Sequence, residues 1–336
     1  MPAHLTIEAI AVHFPERSLS NDDLVSIGMS RPADEVKNKT GIASRYIVTH
    51  ETAVDLAEQA CHKLFELVPE AKNDIDYILF CTQTPDYFLP SCSCMLQNRL
   101  KLSKNIGAID INLGCSGFVY LLGTAVGLLS TGQATRILAI TSDTYSRYLD
   151  HNDYSVRTLF GDAATAVILS GEKGDSVIGP FVNGTDGGGY SDLIVANGAH
   201  REFADTGEVS PPRIAMKGPS VFSFAMQTVP DCHDKLLTQA GLTSEDVDHF
   251  VLHQANKFML EHLFEKMDIP PEKQVVAMED CGNTVSSSIP IALARMVNKG
   301  SIKDAARLVY LGFGVGLSWA GTVHSGFSSP KVHVDR

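Results

Sequence analysis

Short runs rich in valine, isoleucine and leucine alternate along the chain with longer stretches whose apolar residues recur every three or four positions. The short runs predict strands over 5–12, 75–82, 106–112, 136–142, 164–169, 176–182, 247–253, 273–278, 306–312 and 316–324. The longer stretches predict helices near 52–67, 91–100, 116–130, 219–240, 256–267 and 286–299. Strands and helices that alternate in this way bury their apolar faces by packing helices against a largely parallel sheet, so the pattern predicts an α/β fold.

The pattern also repeats. "DIDYILFCTQ" (74–83) resembles "DVDHFVLHQA" (246–255), and "LGCSG" (113–117) aligns with "CGNTV" (281–285). Gly132, closing the first long apolar helix, matches Gly300, closing its counterpart, and "RILAIT" from 136 matches "RLVYLG" from 307. These matches keep one order at a nearly constant offset of about 170 residues, which marks an internal duplication. The halves are 1–172 and 173–336, divided in "SGEKGDS". Equivalent positions in two similar halves can meet at a pseudo-two-fold axis. Cys115 and Asn283 are such a pair, each following a glycine at the start of a helix, and His253 ends the strand before the Asn283 unit.

The length of 336 residues suits two domains or one duplicated one, and 20% charged residues are typical of a soluble globular protein. A net charge of −12 argues against nucleic acid as a partner, since phosphate binding needs a basic field. "MPAHLTIEAIAVHF" lacks the basic start and apolar core of a signal peptide, and the apolar stretch 118–129 is too short to span a bilayer. A cytoplasmic protein without membrane association is expected. The seven cysteines are irregularly spaced and form no CxxC pair, so neither a disulfide framework nor a metal site is expected. Cys92 and Cys94 read as small buried residues.

The junction "IDINLGCSGFVYLL" (109–122) sets Cys115 where a strand turns into a helix. Unpaired N–H groups and the helix dipole there favour the thiolate, so the thiol pKa is expected to fall. The Cys115 N–H can also serve an oxyanion. A small buried hydrophobe is the competing reading of a free cysteine. His253 and Asn283 can give two hydrogen bonds to one carbonyl oxygen and so stabilise the enolate left when a malonyl group loses carbon dioxide. A core histidine and a helix N-cap are the alternatives for these two. In "LVYLGFGVGLSWAG" the glycine-rich bend is either a plain hairpin turn or a device that aims the Val315 N–H at a thioester oxygen. "GTDGGGYSDL" (184–193) lacks a dinucleotide pattern and reads as a loop.

Taken together, "TGIASRYI" (40–47), "TPDYFLPS" (84–91), "DINLGCSGF" (110–118), "LFGDAATAVIL" (159–169), "HQAN" (253–256), "GNTVSSSIP" (282–290) and "GFGVGLSW" (312–319) resemble β-ketoacyl-acyl-carrier-protein synthase III of the thiolase-like superfamily. The resemblance implies a five-layered αβαβα fold and a homodimer. It implies a Cys115–His253–Asn283 triad that takes an acyl group from acyl-CoA or an acyl carrier protein without a cofactor, then condenses it with malonyl-acyl carrier protein. Leu89 matches the residue that the family sends into the partner's acyl pocket. Acyl transfer from Cys115 to an alcohol or amine is the alternative activity. Where many relatives carry a tryptophan and an arginine before "TGI", this chain has Glu35 and Lys39; Tyr154 and Phe258 replace two further basic positions. Carrier docking is therefore expected at Lys257, with Arg201, Arg213 and Lys217 adding to a basic patch.

Overall fold

The computed structural model describes residues 3–171 and 175–335, and the division expected near residue 172 lies outside them. Its two large sheets use β1 (Ala3–His4), β2 (Thr6–His13), β3 (Tyr77–Cys81), β4 (Gly107–Ile111), β5 (Arg136–Asp143), β6 (Ala163–Ser170), β7 (Val177–Thr185), β8 (His249–Leu252), β9 (Ala306–Gly314), β10 (Ser318–Phe327) and β11 (Lys331–Val334). The first sheet has the order β11-β2-β6-β5-β3-β4 and the second β1-β7-β10-β9-β8. β3 and β8 thus occupy matching places, as do β5 and β9.

The main helices are α1 (Ala53–Leu67), α2 (Cys92–Arg99), α3 (Gly117–Ser130), α4 (Gly218–Ala240), α5 (Lys257–Lys266) and α6 (Ser288–Asn298). A reciprocal box between Thr52 and Asp55 starts α1, whose buried face recurs through Val54, Ala57, Cys61 and Leu64. α1 and α2 cover the outside of the first sheet, while α4, with α5 against it, covers the outside of the second. α3 and α6 lie between the sheets and touch both. The layers are therefore αβαβα. This middle position explains the apolar run after Cys115: Phe118, Val119, Leu121, Leu122 and Ala125 are all buried, and only a narrow stripe of small or polar residues, Gly127 and Ser130, is exposed.

Three expectations need correction. The sheets are mixed rather than largely parallel; in the second only β8–β9 is parallel, since β9 and β10 join through a tight bend that only antiparallel partners allow. The strand expected over 273–278 is reduced to one bridge, Phe250 with Gln274. The Gln254 side chain takes over its ladder, giving its amide N–H to Leu252 O (2.8 Å) and Val275 O (3.1 Å) and accepting from Ala277 N (2.7 Å). Cys92 is buried as expected, but Cys94 is exposed on the outer side of α2.

Two short strands cross between the sheets. β1 pairs with β7 in the second sheet, and β11 pairs with β2 in the first. Asp335 pins the latter, accepting from Phe14 N (3.2 Å) and meeting His13 Nδ1 (2.8 Å) and the Lys63 ammonium. Beyond the two large sheets, Leu193–Val195 pairs with Ile214–Met216 in a two-stranded ladder, and the chain between them carries a helix at His200–Thr206.

Candidate active site

A cavity of about 750 Å³ opens between the two halves, with Cys115, His253 and Asn283 in its wall beside Phe313 and Gly314. Three chain segments, far apart in sequence, deliver the polar groups. Cys115 precedes Ser116, which caps α3. His253 follows β8 and donates its backbone N–H to Leu311 O (2.8 Å), which locks it to β9. Asn283 is held by both backbone groups, its N–H to Leu159 O (2.8 Å) and its C=O from Gly161 N (3.0 Å).

The Cys115 thiol faces the backbone N–H groups of Cys115 itself and of Val315. The bend after β9 thus does more than reverse the chain. Gly314 is needed for this approach: a Cβ there would stand 2.8 Å from the Cys115 Cβ and 3.0 Å from Sγ. The expected fall in the thiol pKa does not occur. Burial pushes it up to about 12, with the Asp143 carboxylate adding to the rise, and the two N–H groups only partly offset this. A dipole at a helix start falls off within a turn, whereas the loss of water acts on the whole charge.

His253 is buried and its pKa is lowered to about 3, chiefly by desolvation, so the imidazole is neutral. Its Nδ1 lies 2.7 Å from the Ser288 hydroxyl, and its Nε2 lies 3.4 Å from Asn283 Nδ2. The tautomer in which the Ser288 hydroxyl donates to Nδ1 places the ring proton on Nε2. Asn283 spends its side-chain oxygen on Val285 N (2.9 Å), which leaves its NH₂ on the His253 side. It is not the cap of α6; Ser287 holds that place. Phe313 stands edge-on to the imidazole at 5.6 Å and fixes the ring plane.

The remaining candidates lie elsewhere. Lys257 opens α5 but does not line the cavity; its Cβ abuts Gly41 and its ammonium pairs with Glu261 at 3.5 Å. Arg201 pairs with Asp205 (3.8 Å), Lys217 with Asp192 (3.0 Å), and Arg213 bonds Pro212 O (3.0 Å). The cations that do line the cavity are Arg31 and Lys39, both exposed and, among the described residues, without an ion-pair partner. Arg31 carries no local signal; it reaches the rim only because the helix Ala33–Thr40 folds against α5. Phe258 also lines the cavity and packs on Phe222 at 5.5 Å. Tyr154 turns away to donate to Ile27 O (3.2 Å). Leu89, 82% exposed, is outside the cavity with Phe88 and Tyr87.

Two family models match the chain. 3-Oxoacyl-[acyl-carrier-protein (ACP)] synthase III covers residues 109–187, and its C-terminal counterpart covers 237–325. A beta-ketoacyl-[acyl-carrier-protein] synthase III of Streptococcus suis (strain 05ZYH33) is 36% identical over 95% of this chain and 98% of its own. A 3-oxoacyl-(acyl-carrier-protein) synthase III crystal structure superposes with a TM-score of 0.92 at 46% identity, covering 96% of this chain and 100% of that one. The 3-oxoacyl-(acyl-carrier protein) synthase of Burkholderia xenovorans LB400 does so with 0.91 at 32% identity, over 99% and 98%. The first family model spans Cys115 and the second spans His253 and Asn283, so the fold, the cavity and the sequence agree that the chain belongs to the 3-oxoacyl-[acyl-carrier-protein] synthase III family.

Proposed function

We propose that the chain is an acyltransferase that condenses an acyl group, held on Cys115, with malonyl-acyl carrier protein. The observation that carries this is the meeting of two separate donor sets in one cavity. The N–H groups of Cys115 and Val315 serve the thioester oxygen on Cys115, and His253 with Asn283 serves a second carbonyl oxygen. An enzyme that only loaded and unloaded an acyl group would need one such set.

In the first step Cys115 Sγ bonds to the carbonyl carbon of an acyl thioester. The donor's C–S bond breaks and its thiol leaves with the proton from Cys115. In the second step malonyl-acyl carrier protein enters. Its carboxylate leaves as carbon dioxide, and the bonding pair becomes an enolate whose oxygen takes hydrogen bonds from His253 Nε2–H and Asn283 Nδ2–H. The enolate carbon attacks the acyl carbonyl, the C–S bond to Cys115 breaks with its pair going to Sγ, the thiolate takes a proton from water, and 3-ketoacyl-acyl carrier protein departs. A neutral His253 fits this role, because it donates to the enolate without being consumed as a base. The two steps balance without a metal or redox group.

The rest of the reading follows from surfaces. A homodimer is supported by the bare edge of β4, with Ile109 exposed, and by the neighbouring Tyr87, Phe88 and Leu89; Leu89 then enters the partner's acyl space. Among the described residues no helix is long and apolar enough to cross a membrane, which supports a cytoplasmic enzyme. Carrier docking moves from Lys257 to Arg31 and Lys39, whose free charges suit the phosphate of a phosphopantetheine arm. The two halves, 1–172 and 173–336, then each contribute one part of the chemistry.

The test is incubation with an acyl thioester and malonyl-carrier protein. Carbon dioxide release with a 3-ketoacyl product supports condensation. Acyl transfer to an alcohol or amine without decarboxylation would replace it, and acylation persisting in Cys115→Ala would overturn the nucleophile.

A further inference from the structure

β5 ends at Asp143, a fully buried carboxylate that touches neither the thiol's donors nor His253. It joins two segments that come from opposite halves. One oxygen accepts Gln83 N (2.8 Å) and the Thr82 hydroxyl (3.4 Å), in the loop after β3. The other accepts Ser286 N (3.3 Å) and the Ser286 hydroxyl, in the turn before α6.

That turn is under strain. Val285 has φ +54°, a left-handed conformation that a β-branched side chain strongly resists. The strained residue is clamped from both sides. Its N–H goes to the Asn283 side-chain oxygen, and the next residue is tied twice to Asp143. If Ser286 were released, Val285 could relax to negative φ, its N–H would swing away, and the Asn283 amide would lose the bond that orients it. Burial pushes the Asp143 carboxyl up to about 7 against the pull of these donors, and its ionised form suits the post because it has only acceptors, facing donors on both sides. Asparagine in the same shape must turn an NH₂ group toward one of them.

We infer that Asp143 is a positioning residue for Asn283, acting through Ser286 and the strained Val285 turn to aim the Asn283 NH₂ at the second carbonyl oxygen. This rests on the condensing role proposed for Asn283. Its signature is a step-selective loss. Asp143→Asn should slow condensation about 10- to 100-fold, a fraction of the loss from deleting a donor outright, and slow acylation of Cys115 less. Ser286→Ala, a milder change that keeps the carboxylate, should show the same selectivity at smaller size. Because Asp143 acts through Asn283, adding Asp143→Asn to Asn283→Ala should leave condensation within about twofold of Asn283→Ala alone.

The experiment is single-turnover acylation by intact mass, condensation with malonyl-carrier protein, and crystal structures of Asp143→Asn and Ser286→Ala. The expected structures show Val285 at negative φ and the Asn283 amide turned from His253. Additive losses in the double variant, equal losses in both steps, or an unmoved Asn283 overturn the inference. If the wild-type enzyme does not condense at all, the functional reading falls instead, and the crystal structures alone decide the positioning claim. Should Asp143→Asn fail to fold, Ser286→Ala decides both readouts.

Discussion

Gly314→Ala tests how tightly the nucleophile is framed. The added Cβ would lie 2.8 Å from the Cys115 Cβ and 3.0 Å from Sγ, whereas nonbonded carbons sit at about 3.5–4.0 Å. The two chains must part by roughly 0.7–1 Å to admit it. Neither side yields freely: Gly314 is paired with Ser318 across the bend, and Cys115 runs directly into buried α3. The strain therefore falls on the distance between Sγ and the Val315 N–H, one residue beyond the substitution. A displacement near 1 Å at a reacting atom costs about 10² in rate, or roughly 2.7 kcal/mol of barrier. Overpacking adds about 1–3 kcal/mol of instability, well short of unfolding a typical domain. The assay is the acylation rate by intact mass beside a denaturant titration. Gly127→Ala is the control: no heavy atom lies within 4 Å of its added Cβ, and a helix gains about 0.5–1 kcal/mol from the exchange. Should Gly314→Ala fold normally and acylate within about threefold of wild type, the claimed framing of Cys115 is wrong.

Other outcomes follow from the same geometry. His253→Ala and Asn283→Ala should each lower malonyl decarboxylation by about 10²–10³ while lowering acylation less; equal losses would place both residues in the first step. Because burial pushes the Cys115 thiol up to about 12, alkylation by iodoacetamide should rise about tenfold per pH unit through neutrality, and a plateau near pH 7 would show a thiolate already formed. Above about pH 7, where the buried Asp143 is ionised, its charge raises this thiol, so in Asp143→Asn the same profile should move to lower pH there; an unmoved profile would show that the carboxylate does not act on the thiol. Arg31→Glu and Lys39→Glu should raise KM for carrier-bound donors more at low salt than at high, with Lys257→Glu nearly neutral; the reverse order would restore Lys257 as the docking site.

The alternation of strands and helices and the three polar residues were legible in local pattern, and the five layers in the resemblance to the family. Apolar spacing finds helices, and the offset between Gly114 and Gly282 pairs Cys115 with Asn283 without coordinates. What escaped depends on contacts that no local window holds. Gln254 looks like an ordinary polar residue after a strand, yet its amide substitutes for the ladder of 273–278. The thiol was misjudged because a sequence displays the helix that favours charge, but not the burial that opposes it. Lys257 was favoured for its nearness to His253 along the chain, whereas Arg31 arrives at the rim from more than two hundred residues away. Asp143 offered nothing to single it out, since its partners are backbone N–H groups and hydroxyls rather than charges.

The two exchanged strands constrain how this molecule could ever be divided. Each sheet borrows its outer strand from the far end of the chain, β1 for one and β11 for the other. A cut near residue 172 would give two fragments that each carry a strand belonging to the other and each expose a raw hydrogen-bonding edge. Such fragments would find stability only by reassembling, trading strands as they did in the intact chain. The exchange therefore fastens together two sheets whose flanking segments share one cavity between them.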